Sequence, residues 1–157
     1  MLNKDLLPDA THMLYELILG HAISLKICWQ DTDDLLLLNI YASHTQSDQP
    51  AFWTCLQEAW DATDLSICSD FMLSDFNVIE DSINHTPSHH DRTSSVDALT
   101  TFCTAHNLQD TWHHTFPDKK VFTYCAHNSE LYSMSYIDRI YTAPCHTSGK
   151  WEFYIAQ

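Results

Sequence analysis

The stretch Leu35-Leu36-Leu37-Leu38-Asn39-Ile40-Tyr41-Ala42 constrains this chain more than any other. A nearly continuous apolar run of that length falls far short of the roughly 20 residues that cross a bilayer. It also lacks the strict alternation of a strand with one wet face, so it reads as a central strand of a sheet. The segment before it, Ala22 to Trp29, does alternate: Ile23, Leu25 and Ile27 fall on one face, Ser24, Lys26 and Cys28 on the other. Gln30 to Asp34 forms a polar turn between the two, and together they predict a hairpin.

Helical signals follow. Ser47-Asp48-Gln49-Pro50 offers a capping oxygen and a proline tolerated in a first turn. Phe52, Leu56 and Trp60 continue at helical spacing, with Trp53 flanking the stripe. Ser94-Ser95-Val96-Asp97 predicts a capping box ahead of Ala98, Leu99, Phe102 and Ala105. Between these helices a strand ends at Phe71-Met72-Leu73, and Ile83 to Arg92 is a loop. Leu108 to Trp112 leaves the second helix, and Pro117-Asp118-Lys119-Lys120 turns into Val121 to Tyr124. Tyr136 to Thr142 and Trp151 to Ile155 close the chain as a hairpin-like pair. Met1 to Tyr15 receives no firm element. Strands and helices alternate without internal repeats, and 157 residues suit one mixed α/β domain.

Charge narrows the partners. Seven basic residues against 21 acidic ones give a net charge of −14. Proteins that grip polyanions neutralise phosphates with Lys and Arg, and here Arg92 and Arg139 are the only arginines. Tight nucleic-acid binding is disfavoured on electrostatic grounds. The six cysteines form no CxxC pair, and no charged-then-apolar leader opens the chain. The expectation is an intracellular protein, nuclear or cytoplasmic, with reduced and mostly buried thiols and no membrane association.

The chemistry concentrates in Ser74-Asp75-Phe76-Asn77-Val78-Ile79-Glu80-Asp81, where an apolar strand runs into acid and amide side chains. In an extended segment residues two apart share a face, so Asp75 and Asn77 are expected to point the same way. One offers an anionic oxygen as ligand or proton acceptor, the other an amide that donates to a phosphate oxygen.

Four separated stretches carry a family resemblance. Leu38-Asn39-Ile40-Tyr41-Ala42-Ser43 resembles the Asn-Ile-Tyr-Ala-Pro strand of the endonuclease/exonuclease/phosphatase superfamily, and Ser74-Asp75-Phe76-Asn77 its Gly-Asp-Phe-Asn motif. Leu108-Gln109-Asp110-Thr111-Trp112-His113 with Pro117 and Phe122-Thr123-Tyr124 resembles its Leu-x-Asp-x-Trp-Arg…Pro…Thr-Tyr stretch. Ser135-Tyr136-Ile137-Asp138-Arg139-Ile140-Tyr141 is similar to its Ser-Arg-Ile-Asp-Arg-Ile-Tyr. Within the superfamily the chain resembles in particular the endonuclease domain of fungal LINE-type (non-LTR) retrotransposons. Residues 1–16 then form a short N-terminal segment and 17–157 an incomplete domain of this family.

The resemblance implies a DNase I-like α/β/β/α sandwich of mixed and antiparallel sheets. It implies hydrolysis of phosphate esters, DNA among them, with a divalent ion, usually Mg2+, held by oxygen ligands. By similarity Asp75 orients or deprotonates the attacking water, Asn77 hydrogen-bonds the scissile phosphate, and Tyr41 donates its phenol to the developing charge. Thr123 and Ser135 shape the phosphate surroundings, and Asp138 holds a catalytic histidine in its working tautomer.

The same resemblance implies gaps. The chain begins downstream of the family's first strands, which carry an asparagine and a metal-binding glutamate, and it stops before a C-terminal Asp-His pair. The expected protein is therefore a silent remnant with weak or lost Mg2+ binding, lacking first and last strands and prone to self-association through uncovered sheet edges. Ser74 for glycine, Asn84 for aspartate, and His21, His85 and His113 for arginine are each reachable by single G-to-A changes. Mutational decay of a transposon copy would explain two glycines where average usage of about 7% gives roughly eleven. Three rivals stand beside this reading: an active small Mg2+-dependent phosphodiesterase, an interaction module, and a zinc-binding module. The last would use Cys103-x-x-His106, Cys125-x-His127 or Cys145-His146.

Overall fold

The structure is a computed structural model that describes residues 12–29, 33–65, 68–89, 91–128 and 131–147. Three antiparallel strands begin it: β1 (His12–Ile18), β2 (Ala22–Trp29) and β3 (Asp33–Tyr41). The turn between β1 and β2 holds Gly20 at φ 72°, a left-handed conformation that costs glycine no Cβ clash. Helix α1 (Gln49–Asp61) then crosses over to β4 (Phe71–Asp75), which lies parallel to β3. A parallel pair needs such a crossover, and its consequence is that Tyr41 and Asp75 emerge together at one end of the sheet. The order is completed by β9 (Asp138–Thr142), antiparallel to β4, and the short β6 (Gln109–Asp110) beyond it.

The predicted hairpin and central strand are both present, since β3 lies between β2 and β4. The run is covered unevenly, however. Leu36, Leu38 and Ile40 are buried against the helices, whereas Leu35 and Leu37 on the other face are half-buried. A second difference is β1, whose first residues the sequence leaves unassigned. Pairing from His12↔Ile27 to Ile18↔Ala22 supplies the hydrogen bonds that local propensity does not advertise.

The core lies between this sheet and two helices. Trp53, Leu56 and Trp60 of α1 and Leu99 and Phe102 of α2 (Thr93–Ala105) are all buried against Leu38, Ile40, Met72 and Tyr141. Burying each such side chain contributes on the order of 1.5–3 kcal/mol. Trp53, not Phe52, occupies the inner stripe; Phe52 is half-buried and packs edge-on at 5.2 Å from it. Neither expected cap forms: Asp48 precedes α1 without a side-chain cap bond, and α2 starts earlier, at Thr93, with no capping bond from Arg92. Ser95 lies inside α2, fully buried, where its hydroxyl donates to the Gln46 carbonyl at 2.9 Å. The thiols also depart from expectation. Cys103 is buried, but Cys28, Cys55, Cys125 and Cys145 are exposed.

A smaller antiparallel sheet pairs β5 (His85–Thr86), β8 (Leu131–Ser135) and β7 (Tyr124–Asn128). Leu108 to Trp112 splits into β6 and a short helix, α3 (Thr111–Thr115), capped by Asp110 accepting from the His113 N–H at 3.1 Å. Val121 to Thr123 stays outside the strand it was expected to open, because Thr123 bridges the two sheets. Tyr136 and Ile137 likewise precede β9, the Tyr136 N–H donating to the Asn84 carbonyl at 2.8 Å. Trp151 to Ile155 lies outside the described residues.

Candidate active site

Register assembles the site. Tyr41 of β3 pairs with Asp75 of β4, and Asp75 pairs with Asp138 of β9, so three adjacent strands deliver three functional groups to one level. Directly paired residues on one face stand about 4.5–5.5 Å apart at Cβ. Tyr41, Asp75, Thr123 and Asp138 line one cleft of about 560 Å³, walled by Trp112, Val121 and Tyr136.

Asp75 ends its strand rather than continuing it. Asn77 takes φ 49°, a left-handed conformation asparagine tolerates better than most residues, and its backbone N–H donates to Asp75 Oδ1 at 3.1 Å. The chain therefore turns at the motif, and the shared-face expectation for Asp75 and Asn77 fails: Asn77 does not line the cleft. Its side-chain amide donates instead to the Ala42 carbonyl at 3.0 Å, closing the ends of β3 and β4. The Asp75 carboxyl is raised above its ordinary range by burial, opposed by the Asn77 N–H and reinforced by the neighbouring Asp138 charge.

Tyr41 is half exposed and steadied by His21, whose Nδ1 donates to the Tyr41 carbonyl at 2.9 Å and whose ring stacks on the phenol. Thr123 Oγ1 accepts two N–H groups, from Ile137 at 3.2 Å and Asp138 at 3.0 Å. A hydroxyl with both lone pairs engaged has only its O–H left to offer, so Thr123 presents a donor at the cleft while holding Asp138 in place. Ser135 is buried at the end of β8 and does not line the cleft; its carbonyl accepts from the Thr123 N–H at 2.9 Å. Among the described residues no histidine is hydrogen-bonded to Asp138.

Two contributors escape sequence reasoning. Gln49, fully buried at the start of α1, donates to the Phe76 carbonyl at 3.2 Å and to the Ser43 carbonyl, and accepts from Trp53 Nε1 at 3.0 Å. It ties the helix to both loops that carry the site. Arg139, next to the cleft residue Asp138, points inward. It pairs with Glu80 at 2.8 Å and donates to the Val78 and Tyr136 carbonyls at 2.6 and 3.0 Å. A lone polar residue in a helix-start pattern, or a charge in an alternating strand, gives no signal of such burial.

The donor set suits a hard cation: two neighbouring carboxylates, with hydroxyl oxygens at the same cleft. Mg2+ is held by one or two carboxylates plus waters and substrate phosphates, and Asp75 and Asp138 fit that modest requirement. A cation would offset both the burial and the Asp138 charge that keep the Asp75 carboxyl raised.

Among solved structures the chain is similar to the endonuclease domain of TRAS1, a telomere-specific non-LTR retrotransposon. The TM-score is 0.65 at 11% identity, covering 89% of this chain and 58% of that one. The AP endonuclease LMAP from Leishmania major matches with a TM-score of 0.57 at 13% identity over 82% of this chain and 47% of that one. Truncated TDP2 from Caenorhabditis elegans matches at 0.50 and 14% over 85% and 53%. No protein-family model and no curated protein matches the sequence. The fold is DNase I-like, and the chain spans about half the length of these structures.

Proposed function

We propose that this chain carries the phosphate-handling part of a divalent-metal-dependent DNA endonuclease site of retrotransposon origin, and that it does not cleave phosphodiesters by itself. The observation behind this reading is the register that sets Tyr41, Asp75 and Asp138 side by side with Thr123 across the cleft. The Tyr41 phenol and the Thr123 hydroxyl donate toward a phosphate oxygen, while the Asn77 amide braces the ends of β3 and β4 through the Ala42 carbonyl. Asp75 accepts a proton from water through the carboxylate oxygen that Asn77 leaves open. Asp75 and Asp138 would hold Mg2+, which would supply charge neutralisation at the phosphate.

Silence follows from what stands beside these groups. Asp138 holds no histidine among the described residues, and removing a positioned acid or base costs about 10²–10⁴ in rate. A net charge of −14 opposes the approach of DNA as well. Mutational decay of such a copy is supported by the replacements at Ser74, Asn84, His21, His85 and His113; an absence of transition bias in these codons against intact copies would remove it.

Nicking of supercoiled plasmid under saturating Mg2+ tests the activity. The expected result is no cleavage above buffer controls. Cleavage that disappears in Asp75→Ala would instead establish an active small phosphodiesterase.

A further inference from the structure

We propose a zinc site at Asp70, Cys145 and His146, at the opposite end of the sheet from the candidate active site. One ligand atom from each of the three lies within 4.8 Å of the others. Asp70 immediately precedes β4, and Cys145 and His146 lie in the 3-10 turn Pro144–His146 that follows β9. The antiparallel pairing of β4 with β9, Phe71 against Thr142, therefore brings the start of one strand to the exit of the other. At about 3.3 Å per residue the cluster sits roughly 16 Å from Asp75.

Asp70 and His146 are held before any metal arrives. The Asp70 N–H donates to the Leu36 carbonyl, and its own carbonyl accepts from Ala143, both at 2.9 Å. Its Oδ2 accepts from the Leu36 N–H at 2.8 Å, which leaves Oδ1 turned to His146 Nε2, also at 2.8 Å. The His146 ring stacks on Phe71 at 4.7 Å. A carboxylate, an imidazole and a thiolate form the borderline-soft set that selects Zn2+ over Mg2+. With bonds of about 2.0–2.3 Å, tetrahedral ligand atoms stand roughly 3.3–3.8 Å apart. Binding would lengthen the 2.8 Å Asp70–His146 contact and draw in the exposed Cys145 thiol, now within 4.8 Å of both, to that spacing. Three protein ligands leave the fourth position to water.

Zinc titration of the reduced, metal-free chain tests the site, with Co2+ as the spectroscopic probe. The expected result is one equivalent bound, with a thiolate-to-cobalt charge-transfer band and tetrahedral visible bands. Cys145→Ser abolishes the charge-transfer band and weakens binding at least tenfold, Asp70→Asn weakens it comparably, and Cys125→Ser leaves both unchanged. In the unsubstituted chain, Zn2+ slows alkylation of Cys145 relative to Cys125, a readout that needs no variant to fold. Absence of stoichiometric binding, a band that survives Cys145→Ser, or equal protection of the two thiols would overturn the proposal.

Discussion

Arg139 shows how far the role of one residue can lie from its sequence context. Its neighbours Asp138 and Ile140 are exposed, while its own guanidinium is enclosed with Glu80, the Tyr141 hydroxyl at 3.1 Å and two carbonyls. Tyr141 in turn donates to Glu80 at 2.8 Å, and burial keeps its phenol protonated well above the usual range. Removing Arg139 leaves Glu80 without its partner, and because Glu80 is about a quarter exposed the loss falls toward or below the roughly 3–5 kcal/mol of a fully buried pair. Arg139→Ala should therefore unfold at markedly lower urea than the unsubstituted chain. Arg139→Met with Glu80→Gln, which removes both charges, should recover much of the difference, since a buried pair often does no better than apolar residues of similar volume.

At the scale of elements, the site depends on how α1 meets the two loops beside it. Gln49 joins the helix to Ser43 after β3 and to Phe76 after β4, and takes the Trp53 indole N–H as well. Gln49→Ala leaves two carbonyls and an indole N–H without these bonds in a buried setting. Each stranded group costs about 1–3 kcal/mol, so a total loss of at least about 3 kcal/mol is expected in denaturant unfolding. Hydrogen exchange should quicken most at the Phe76 and Asn77 amides, while β2 amides quicken only by the loss of global stability. The elements themselves were largely legible: β2, β3, β4 and the two long helices follow from alternation, apolar runs and the Trp53, Leu56, Trp60 spacing. The short pieces were not. β1, β5 and β6 exist because partner strands complete their hydrogen bonds, and α2 starts without the capping box because Ser95 is used to bond Gln46.

For the whole molecule, pH reports on the core between helices and sheet. His106 closes α2 almost fully buried, stacked on Phe102 at 4.3 Å and edge-on to Trp60 at 4.8 Å. Burial lowers it from its ordinary 6.5 to about 4. A base depressed on folding binds its proton more readily in the unfolded chain. Its contribution is whole above pH 6.5 and is lost as the pH falls toward 4, where unfolding gains up to about 3 kcal/mol. Urea midpoints measured at pH 7 and pH 4.5 should differ accordingly, and His106→Leu should narrow the gap.

The sequence by itself determined the class, the central strand and the identity of most cleft groups, because apolar periodicity and the Ser74–Asn77 and Ser135–Tyr141 stretches are local facts. Tertiary structure decided which groups meet. Only the parallel pairing of β3 with β4 and the antiparallel pairing of β4 with β9 put Tyr41, Asp75 and Asp138 on one level. The turn at Asn77, the inward course of Arg139 and the meeting of Asp70 with Cys145 and His146 have the same origin. Each depends on hydrogen bonds or packing between residues far apart in the chain, for which local pattern carries no physical record.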